Sequence, residues 1–420
     1  ELRAILSDRN IEDWVSLDLT PQSGAERFSV VVDGVQQQTF RSVEQLGMYG
    51  KARQHKVCIV SLGAKRQVLD HLGVLVEIGS KGATQSADPS ACHGLTKQKT
   101  ILVTGCAGFI GSTLTQHLLA RGDKVVCVDN LNTLYYDKKV KRANVAINEG
   151  HPNFTFLEED YGNTTAFDQG MPAYDVVCHL AAHAGVRNSV LYPALYFQVN
   201  MEQTVAFLEK LRTCCGGRLP HFVYASSSSV YGLNTKQPFS EDDRVDHPNS
   251  PYASTKRSLE LYASLWARLN KADGIGLRFF TVYGPRGRPD MAPYKFMKAI
   301  HQGEAINVYG GMESVATRDY TFVDDIVDGV MGAIDVPFQP TRHEVVNLGN
   351  GNPVKLSAFV RACEAAVGKT AQINEVEPLK GDVPHTFADV SKAAKWFGYH
   401  PSTSVEEGLK AMYADMHKQW

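Results

Sequence analysis

The sequence of 420 residues lacks a long apolar run, a large excess of charge and a regular spacing of cysteines. No run approaches the ~18 consecutive apolar residues of a membrane-spanning helix. A net charge of −2 provides no bulk attraction to nucleic acid or to a membrane surface. We therefore predict a cytoplasmic protein that binds neither. The chain begins with Glu1 rather than Met, which leaves room for a targeting or anchoring segment upstream.

The eight cysteines show no framework spacing, and internal repeats and low-complexity tracts are missing. Cys214 and Cys215 are adjacent, whereas Cys127 and Cys178 lie in apolar runs. This pattern predicts reduced thiols in an intracellular protein. We predict no bound metal.

Residues 1–97 carry no catalytic motif. Arg27–Phe40 predicts a hairpin around an Asp-Gly turn, and Lys56–Leu62 and Leu72–Ile78 predict two more strands that flank a short helix. Residues 79–94 are small and polar, which is typical of a linker. We predict an N-terminal segment of unknown fold and role, followed by one larger domain.

The stretch Thr100–Asp129 predicts a strand, a glycine turn, a helix and a second strand. Gly105, Gly108 and Gly111 would let a pyrophosphate approach backbone N–H groups at the N-terminus of the helix. Asp129 lies 18 residues beyond Gly111, near the distance at which an acidic residue binds the adenosine ribose. Its carboxylate would repel a 2′-phosphate and no arginine follows directly, so the pattern favours NAD over NADP.

Downstream, apolar strands alternate with helices, which predicts an α/β fold with a doubly wound parallel sheet of Rossmann type. Strands are predicted at 154–157, 174–181, 221–225 and 276–280, with a long helix at 254–269. Shorter elements follow, with strands at 306–309, 345–348 and 372–376 and helices at 324–334 and 356–367. We predict a domain at 98–420, with an NAD-binding part at about 98–283 and a smaller substrate-binding lobe at about 284–420.

Tyr252 and Lys256 form a Tyr-x-x-x-Lys pair, whose side chains lie one turn apart on a helix. A nearby ammonium lowers the pKa of a phenol from about 10 and favours the phenolate. A phenolate can take a proton from a sugar hydroxyl while hydride leaves the same carbon. The run 226–229 is all serine and ends a predicted strand, where open α/β sheets bind ligands. One hydroxyl would bridge the reacting oxygen and Tyr252.

Residues from about 99 to 420 resemble the extended short-chain dehydrogenase/reductases that act on nucleotide sugars, the NAD-dependent epimerase/dehydratase family. The matching motifs are TGCAGFIG (104–111), HLAAHAGVR (179–187), YASSSSVYG (224–232), PYASTK (251–256), RFFTVYGPRGRPDMA (278–292), TRDYTFVDDIVDG (317–329) and GDVPHTFAD (381–389). The resemblance covers about three quarters of the chain. It implies an enzyme that epimerises a UDP-sugar at C4 through a 4-keto intermediate, with NAD as cofactor. It also implies a homodimer that pairs helices near 192–211 and 253–269.

The same resemblance implies the roles of individual residues. Those implied to be catalytic are Ser227, Tyr252 and Lys256. Those implied to bind or frame NAD are Gly105, Gly108, Phe109, Ile110, Gly111, Asp129, Asp160, Asn200, Tyr252 and Lys256. Those implied to bind substrate are Ser227, Ser228, Ser229, Thr281, Arg288, Arg318 and Asp382. Within this last set, Arg318 and Asp382 would contact UDP, and Arg288 and Thr281 would lie at a sugar carboxylate, since the match is strongest to members that epimerise UDP-glucuronate.

Alternatives remain open at the level of the substrate. Related 4,6-dehydratases carry Asp-Glu after the catalytic hydroxyl, where this chain has Ser228 and Ser229. UDP-glucuronate decarboxylases usually carry glutamate at the second of these positions, and UDP-glucose 4-epimerases lack the loop at 287–291. A non-catalytic NAD-binding scaffold is an alternative of another class. His183 and Lys380 depart from the family pattern, which usually has glutamine and proline there.

Overall fold

A computed structural model of the chain describes residues 98–135, 137–214, 219–377 and 385–417, together with the backbone of seven strands between Val15 and Ser86. Five of these strands form one antiparallel sheet. In sheet order they are Val35–Phe40, Arg27–Val32, Arg53–Leu62, Val68–Ile78 and Thr84–Ser86. The remaining two, Val15–Ser16 and Gly47–Met48, pair with each other.

The predicted N-terminal hairpin and the two further strands are confirmed. The predicted short helix is wrong over its last residues, because the strand after it already begins at Val68. Residues 63–67 lie outside the described residues. The stretch predicted as a linker contains the paired strand Thr84–Ser86.

From Thr100 onward, strands and helices alternate along the chain. In chain order they are β1 (Thr100–Thr104), α1 (Phe109–Arg121), β2 (Lys124–Val128), α2 (Lys138–Ala146), β3 (Phe154–Leu157), β4 (Val176–His179), α3 (Val186–Leu191), α4 (Pro193–Phe197), α5 (Gln203–Cys214), β5 (His221–Ser227), α6 (Pro251–Asn270), β6 (Asp273–Phe279), β7 (Thr281–Tyr283), α7 (Ala292–Gln302), β8 (Ala305–Tyr309), β9 (Thr317–Arg318), β10 (Tyr320–Phe322), α8 (Val323–Asp335), β11 (His343–Leu348), β12 (Val354–Lys355), α9 (Leu356–Val367), β13 (Gln372–Val376), α10 (Ser391–Phe397) and α11 (Val405–Met416). None of the described helices is long and apolar enough to cross a bilayer.

Seven of these strands form one parallel sheet in the order β3-β2-β1-β4-β5-β6-β11. Its central strands carry apolar residues on both faces, and Ile101, Leu102 and Val103 of β1 are fully buried. Such continuous burial is typical of a parallel sheet that helices cover on both sides. The predicted α/β fold with a doubly wound sheet is confirmed.

The assignment of residues 345–348 to the smaller lobe is wrong. They belong to β11, which pairs in parallel with β6 and places Val346 opposite Leu277. A short apolar run shows that a strand is buried but not which sheet buries it. The main sheet is therefore completed by a segment that follows α8.

The prediction of reduced thiols is wrong for one pair. Cys106 and Cys127 form a disulfide, with Cα atoms 5.7 Å apart. Cys106 lies in the turn after β1 and Cys127 lies on the neighbouring strand β2. Strand pairing brings them together, so their spacing along the chain carried no signal. Cys178, Cys214 and Cys363 are free thiols.

The remaining strands after β6 form three small two-stranded sheets. Helix α9 packs against both α7 and α11, and the apolar core between them includes Phe296, Phe359 and Leu409. A bridge between Phe239 and Ala388 ties the segment after β5 to the segment before α10. Phe239 N–H donates to Phe387 O at 2.7 Å, and Asp389 N–H donates to Phe239 O at 2.9 Å.

Candidate active site

One large cavity, of about 1330 Å³, lies at the carboxyl ends of the parallel strands. Its walls include the turn after β1, the last residues of β5 and β6, and the start of α6. The carboxyl ends of parallel strands meet at one edge of the sheet, which is where open α/β sheets bind ligands. The cavity brings together most of the predicted site residues.

The glycine turn forms one wall of this cavity. Gly105 has a φ of +73°, and a Cβ there would lie 2.7 Å from Ala181 N. A Cβ on Gly111 would lie 2.2 Å from Gly105 O. Both positions therefore require glycine, and α1 begins directly after the turn, at Phe109. Phe109, Ile110 and the three glycines all line the cavity. The N-terminus of a helix, whose first N–H groups have no partner within the helix, therefore lies at a space of ligand size.

Asp129 ends β2 at the same wall and is 6% exposed. Its Oδ2 accepts from Ala107 N–H at 3.2 Å, and its Oδ1 accepts from Leu131 N–H at 2.8 Å. Lys141 of α2 donates to Oδ1 at 3.2 Å. The carboxylate therefore holds the glycine turn in place. The sequence did not predict the partner Lys141, which lies 12 residues further along the chain.

Asp160 and Asn200, two residues predicted to contact or frame NAD, are not among the residues that line the cavity, although their neighbours Glu159, Tyr161 and Val199 are. Asp160 Oδ1 accepts from Gly162 N–H at 3.0 Å. The Asp160 carboxylate therefore caps a short 3₁₀ turn.

Asn200 lies in a π-helical turn, Gln198–Glu202, between α4 and α5. Its side chain forms two hydrogen bonds with the main chain of His183: Oδ1 accepts from the N–H at 2.8 Å, and Nδ2 donates to the carbonyl at 2.9 Å. It also donates to Thr255 Oγ1 at 3.1 Å. Asn200 therefore braces the cavity wall from behind.

The predicted catalytic residues lie at the end of β5 and in the first two turns of α6, and all three line the cavity. Ser227 ends β5, and its Oγ accepts from Ser229 N–H at 3.2 Å and from Ser229 Oγ at 3.0 Å. Tyr252 lies in the first turn of α6, whose N-cap, Ser250, accepts from Ala253 N–H at 3.1 Å. Lys256 follows one turn later, and its Nζ donates to Ala225 O at 2.7 Å.

Burial raises the pKa of the Tyr252 phenol above its ordinary value. The hydrogen bond with Ser227 and the positive charge of Arg288 act in the opposite direction. Lys256, which we predict to lower this pKa, donates to Ala225 O, and its Nζ lies 5.9 Å from the centre of the Tyr252 ring. Its effect on the pKa of Tyr252 stays a prediction. Burial also lowers the pKa of Lys256 to about 8, which the carboxylate of Glu260 opposes.

A buried charge network that the sequence did not predict supports this wall. Glu260, one turn beyond Lys256 on α6, accepts from Arg278 Nε at 2.8 Å and from Arg278 Nη2 at 2.9 Å. It also accepts from Ser226 Oγ at 2.6 Å. Arg278 Nη1 donates to Tyr231 OH at 3.1 Å. The network joins α6, β5 and β6 directly behind Ser227.

The predicted substrate residues Ser228, Ser229, Thr281, Arg288 and Arg318 all line the cavity. Arg318 Nη1 donates to the carbonyl of Thr317 at 3.0 Å. Asp382 and Lys380 lie outside the described residues.

Arg288, the predicted carboxylate-binding residue, has aromatic neighbours that the sequence did not predict. Its guanidinium carbon lies 4.6 Å from the centre of the Tyr135 ring. The Tyr135 hydroxyl bonds both Ala184 O and the Tyr196 hydroxyl. The Tyr196 ring meets the Tyr252 ring edge-on, with centres 6.3 Å apart. An aromatic chain thus connects Arg288 to Tyr252, and no motif in the sequence pointed to it.

Placing a glycine turn and a Ser-Tyr-Lys cluster on two walls of one cavity is the arrangement predicted for a short-chain dehydrogenase/reductase enzyme. The model of the NAD dependent epimerase/dehydratase family matches residues 101–349, and the chain belongs to this family. The predicted family, its NAD cofactor and the prediction of an enzyme are confirmed.

Known proteins of this family resemble the chain closely. An uncharacterised protein of Methanocaldococcus jannaschii is 45% identical over 320 residues, which cover 75% of this chain and 95% of that protein. UDP-glucuronate 4-epimerase 2 of Arabidopsis thaliana is 40% identical over 337 residues, which cover 76% of this chain and 77% of that one. The crystal structure of UDP-glucuronic acid 4-epimerase from Bacillus cereus, in complex with UDP-glucuronic acid and NAD, superimposes with a TM-score of 0.70 and 34% identity, over 76% of this chain and 100% of that one.

Proposed function

We propose that the chain is a UDP-glucuronate 4-epimerase, which interconverts UDP-glucuronate and UDP-galacturonate. The observation that carries the proposal is the guanidinium of Arg288, which shares one cavity with Ser227 and Tyr252. A half-buried guanidinium suits a sugar carboxylate, because its fork of N–H groups binds the two carboxylate oxygens through two parallel hydrogen bonds. We call these N–H groups of Arg288 the fork. The similarity to enzymes named for this reaction supports the same substrate.

The cavity fits NAD at its glycine-lined wall. There, two glycines that no other residue could replace hold the N-terminus of α1 open, and Asp129 lies at the end of β2 beside them. We expect Gly105, Gly108 and Gly111 to hold the pyrophosphate and Asp129 the adenosine ribose. NAD, when bound, supplies the acceptor and the donor of the C4 hydride.

The chain's own residues remove and return the proton of the sugar 4-hydroxyl. Tyr252 takes it as phenolate and later returns it, so it acts as base and then as acid. Ser227, whose hydrogen bond opposes the rise in the pKa of Tyr252, would hold the reacting oxygen in line with the phenol. The buried ammonium of Lys256 would hold the nicotinamide ribose at the same wall.

Arg288 has a second proposed task. The 4-keto form of a uronic acid is a β-keto acid, which loses CO₂ most easily when its carboxylate lies out of the ring plane. A fork that grips both carboxylate oxygens would hold it in a harmless orientation. UDP-glucuronate would thereby keep its carboxylate through the cycle.

The test is a product assay on the protein as purified. UDP-glucuronate is added without reductant and without added NAD, and the sugars are read by proton NMR. UDP-galacturonate is the expected product. UDP-xylose or a 4-keto pentose would instead make the chain a decarboxylase. If only UDP-glucose were converted, the substrate would be UDP-glucose instead of UDP-glucuronate, and the proposed roles of Tyr252 and Ser227 would still hold.

We also propose a homodimer formed through α6 and the helices beside it. Helices α3 and α4 pack against α6. This surface exposes a stripe of apolar side chains at Leu261, Leu265 and Leu269, which are 57%, 41% and 70% exposed. Their spacing of four residues puts them on one face of α6. Val190, Leu191 and Tyr192, at the end of α3 and just before α4, add exposed apolar area, at 62%, 68% and 52%. Clustered apolar side chains on a surface often mark an interface, which supports the proposed dimer.

Charge on this stripe should separate the subunits. We expect the double variant Leu265→Glu/Leu269→Glu to elute as a monomer in size-exclusion chromatography with light scattering, because two carboxylates would be buried without partners. Leu233→Glu is the matched control, because Leu233 is 68% exposed in a turn outside α6, and this variant should leave the mass unchanged. A dimeric double variant, or a monomeric wild type, would refute this interface.

A further inference from the structure

The fork of Arg288 already binds a carboxylate of its own chain. Arg288 Nε donates to Asp290 Oδ1 at 3.0 Å, and Arg288 Nη2 donates to Asp290 Oδ2 at 2.7 Å. These are the two parallel bonds that a guanidinium offers to any carboxylate. Asp290 lines the same cavity as Arg288, so the pair lies where the sugar is proposed to bind.

The two partners differ in their access to solvent. The side chain of Arg288 is 17% exposed, whereas that of Asp290 is 35% exposed. Released from the pair, the Asp290 carboxylate can be hydrated at little cost. The arginine, more deeply set, gains more from keeping an anionic partner. The exchange of one carboxylate for another is therefore the favourable way for Arg288 to accept a ligand.

Arg288 also contacts residues other than Asp290. The ring of Tyr135 lies 4.6 Å from its guanidinium carbon, a cation–π contact. Gly185, with a φ of +92°, leaves space on another side, since a Cβ there would lie 3.2 Å from Arg288 Nη2. The guanidinium therefore also has contacts that do not involve the Asp290 carboxylate.

We propose that Asp290 is a specificity-determining residue that occupies the fork of Arg288 until a sugar carboxylate displaces it. This inference rests on the proposed function, because it requires a substrate with a carboxylate at the sugar. A neutral hexose cannot break the pair, so Arg288 stays neutralised and contributes nothing to its binding. The carboxylate of a uronate takes the place of the Asp290 carboxylate and accepts the same two hydrogen bonds from Arg288. The net gain in binding free energy is the energy of these two bonds minus the cost of breaking the pair with Asp290.

The inference predicts a gain of affinity on removing a charge. In Asp290→Asn the fork loses its competing anion, and UDP-glucuronate should bind about 3–10-fold more tightly, the range expected for a partly exposed ion pair. Binding of UDP-glucose and of UDP should stay within about twofold of the wild type, since neither offers a carboxylate. A purely structural role for Asp290 would weaken all three ligands together.

The experiment is isothermal titration calorimetry of the purified protein with UDP-glucuronate, UDP-glucose and UDP. Asp242→Asn is the matched control, because this exposed aspartate lies outside the cavity and its loss removes the same charge. In the double variant Arg288→Met/Asp290→Asn the gain for UDP-glucuronate should vanish, because the fork itself is gone.

The possible outcomes distinguish a failure of the role proposed for Asp290 from a failure of the proposed epimerase function. A wild type that turns over UDP-glucuronate, with Asp290→Asn binding it no more tightly, would overturn the role of Asp290 alone. A wild type that binds UDP-glucuronate no better than UDP-glucose and converts none of it would overturn both proposals. Tighter binding of UDP and UDP-glucose by the same factor would also overturn the role of Asp290, since the effect would not act through a carboxylate.

Discussion

Tyr252→Phe should lower turnover by about 10²–10⁴-fold, the contribution of a positioned acid/base. The substitution removes one oxygen at the wall where Ser227 and Tyr252 meet, so the C4 hydroxyl proton would have no acceptor. NAD content should not change, because the residues expected to hold the pyrophosphate lie in the turn before α1 and at the start of α1, and not on α6. The measurement is initial rate with UDP-glucuronate, with bound NAD quantified after denaturation.

Tyr262→Phe provides the matched control for this variant. Tyr262 lies on the same helix, α6, but does not line the cavity, so its variant should keep the wild-type rate. If Tyr252→Phe retained more than about a tenth of the wild-type rate, Tyr252 would not be the acid/base. Loss of NAD from this variant would show that the Tyr252 hydroxyl is needed to bind the cofactor, so the lower rate could not be assigned to a lost acid/base.

Breaking the buried pair between Glu260 and Arg278 should have the largest effect on stability. Their side chains are 1% and 2% exposed. Truncating Glu260 removes the carboxylate that Arg278 binds, and truncating Arg278 leaves Glu260 with the single bond from Arg257 Nη1 at 3.2 Å as its ion pair. We expect Arg278→Met to lower the free energy of unfolding by about 3–5 kcal/mol. In the double variant Glu260→Leu/Arg278→Met the loss should be clearly smaller than the sum of the two single losses, because neither charge is stranded.

Urea denaturation measures these losses, and the chain offers an exposed pair for comparison. Glu209 and Arg212 lie three residues apart on α5 and are 47% and 45% exposed. Arg212→Met should cost less than about 1 kcal/mol. Additive losses for Glu260 and Arg278 would show that the two charges act independently and would refute the coupling.

Sequence reasoning performed best where the information is local. Short apolar runs in the sequence located the first six strands of the main sheet, and β3 has the bounds that its pattern predicts. The glycine turn and the Tyr-x-x-x-Lys pair were recognisable because the chemistry needs those residues at fixed offsets on one turn or helix. The structure brings them to one cavity without any change in assignment.

Contacts between distant segments were beyond the sequence. The partner of β11 is a strand more than 60 residues earlier, and nothing in its apolar run names that partner. Lys141 and Arg278 look like ordinary surface charges until folding buries them against Asp129 and Glu260. Glu260 did carry a signal, because it continues the helix face of Tyr252 and Lys256 at a spacing of four residues.

The pairing of Phe239 with Ala388 sets an order of events during synthesis. A chain leaves the ribosome N-terminus first, at about 5–20 residues per second. All seven strands of the main sheet exist once Leu348 has emerged, but Ala388 follows 40 residues later. For about 2–8 s at that rate, the nascent chain therefore contains Ser227 and Tyr252 while the segment around Phe239 waits for its partner.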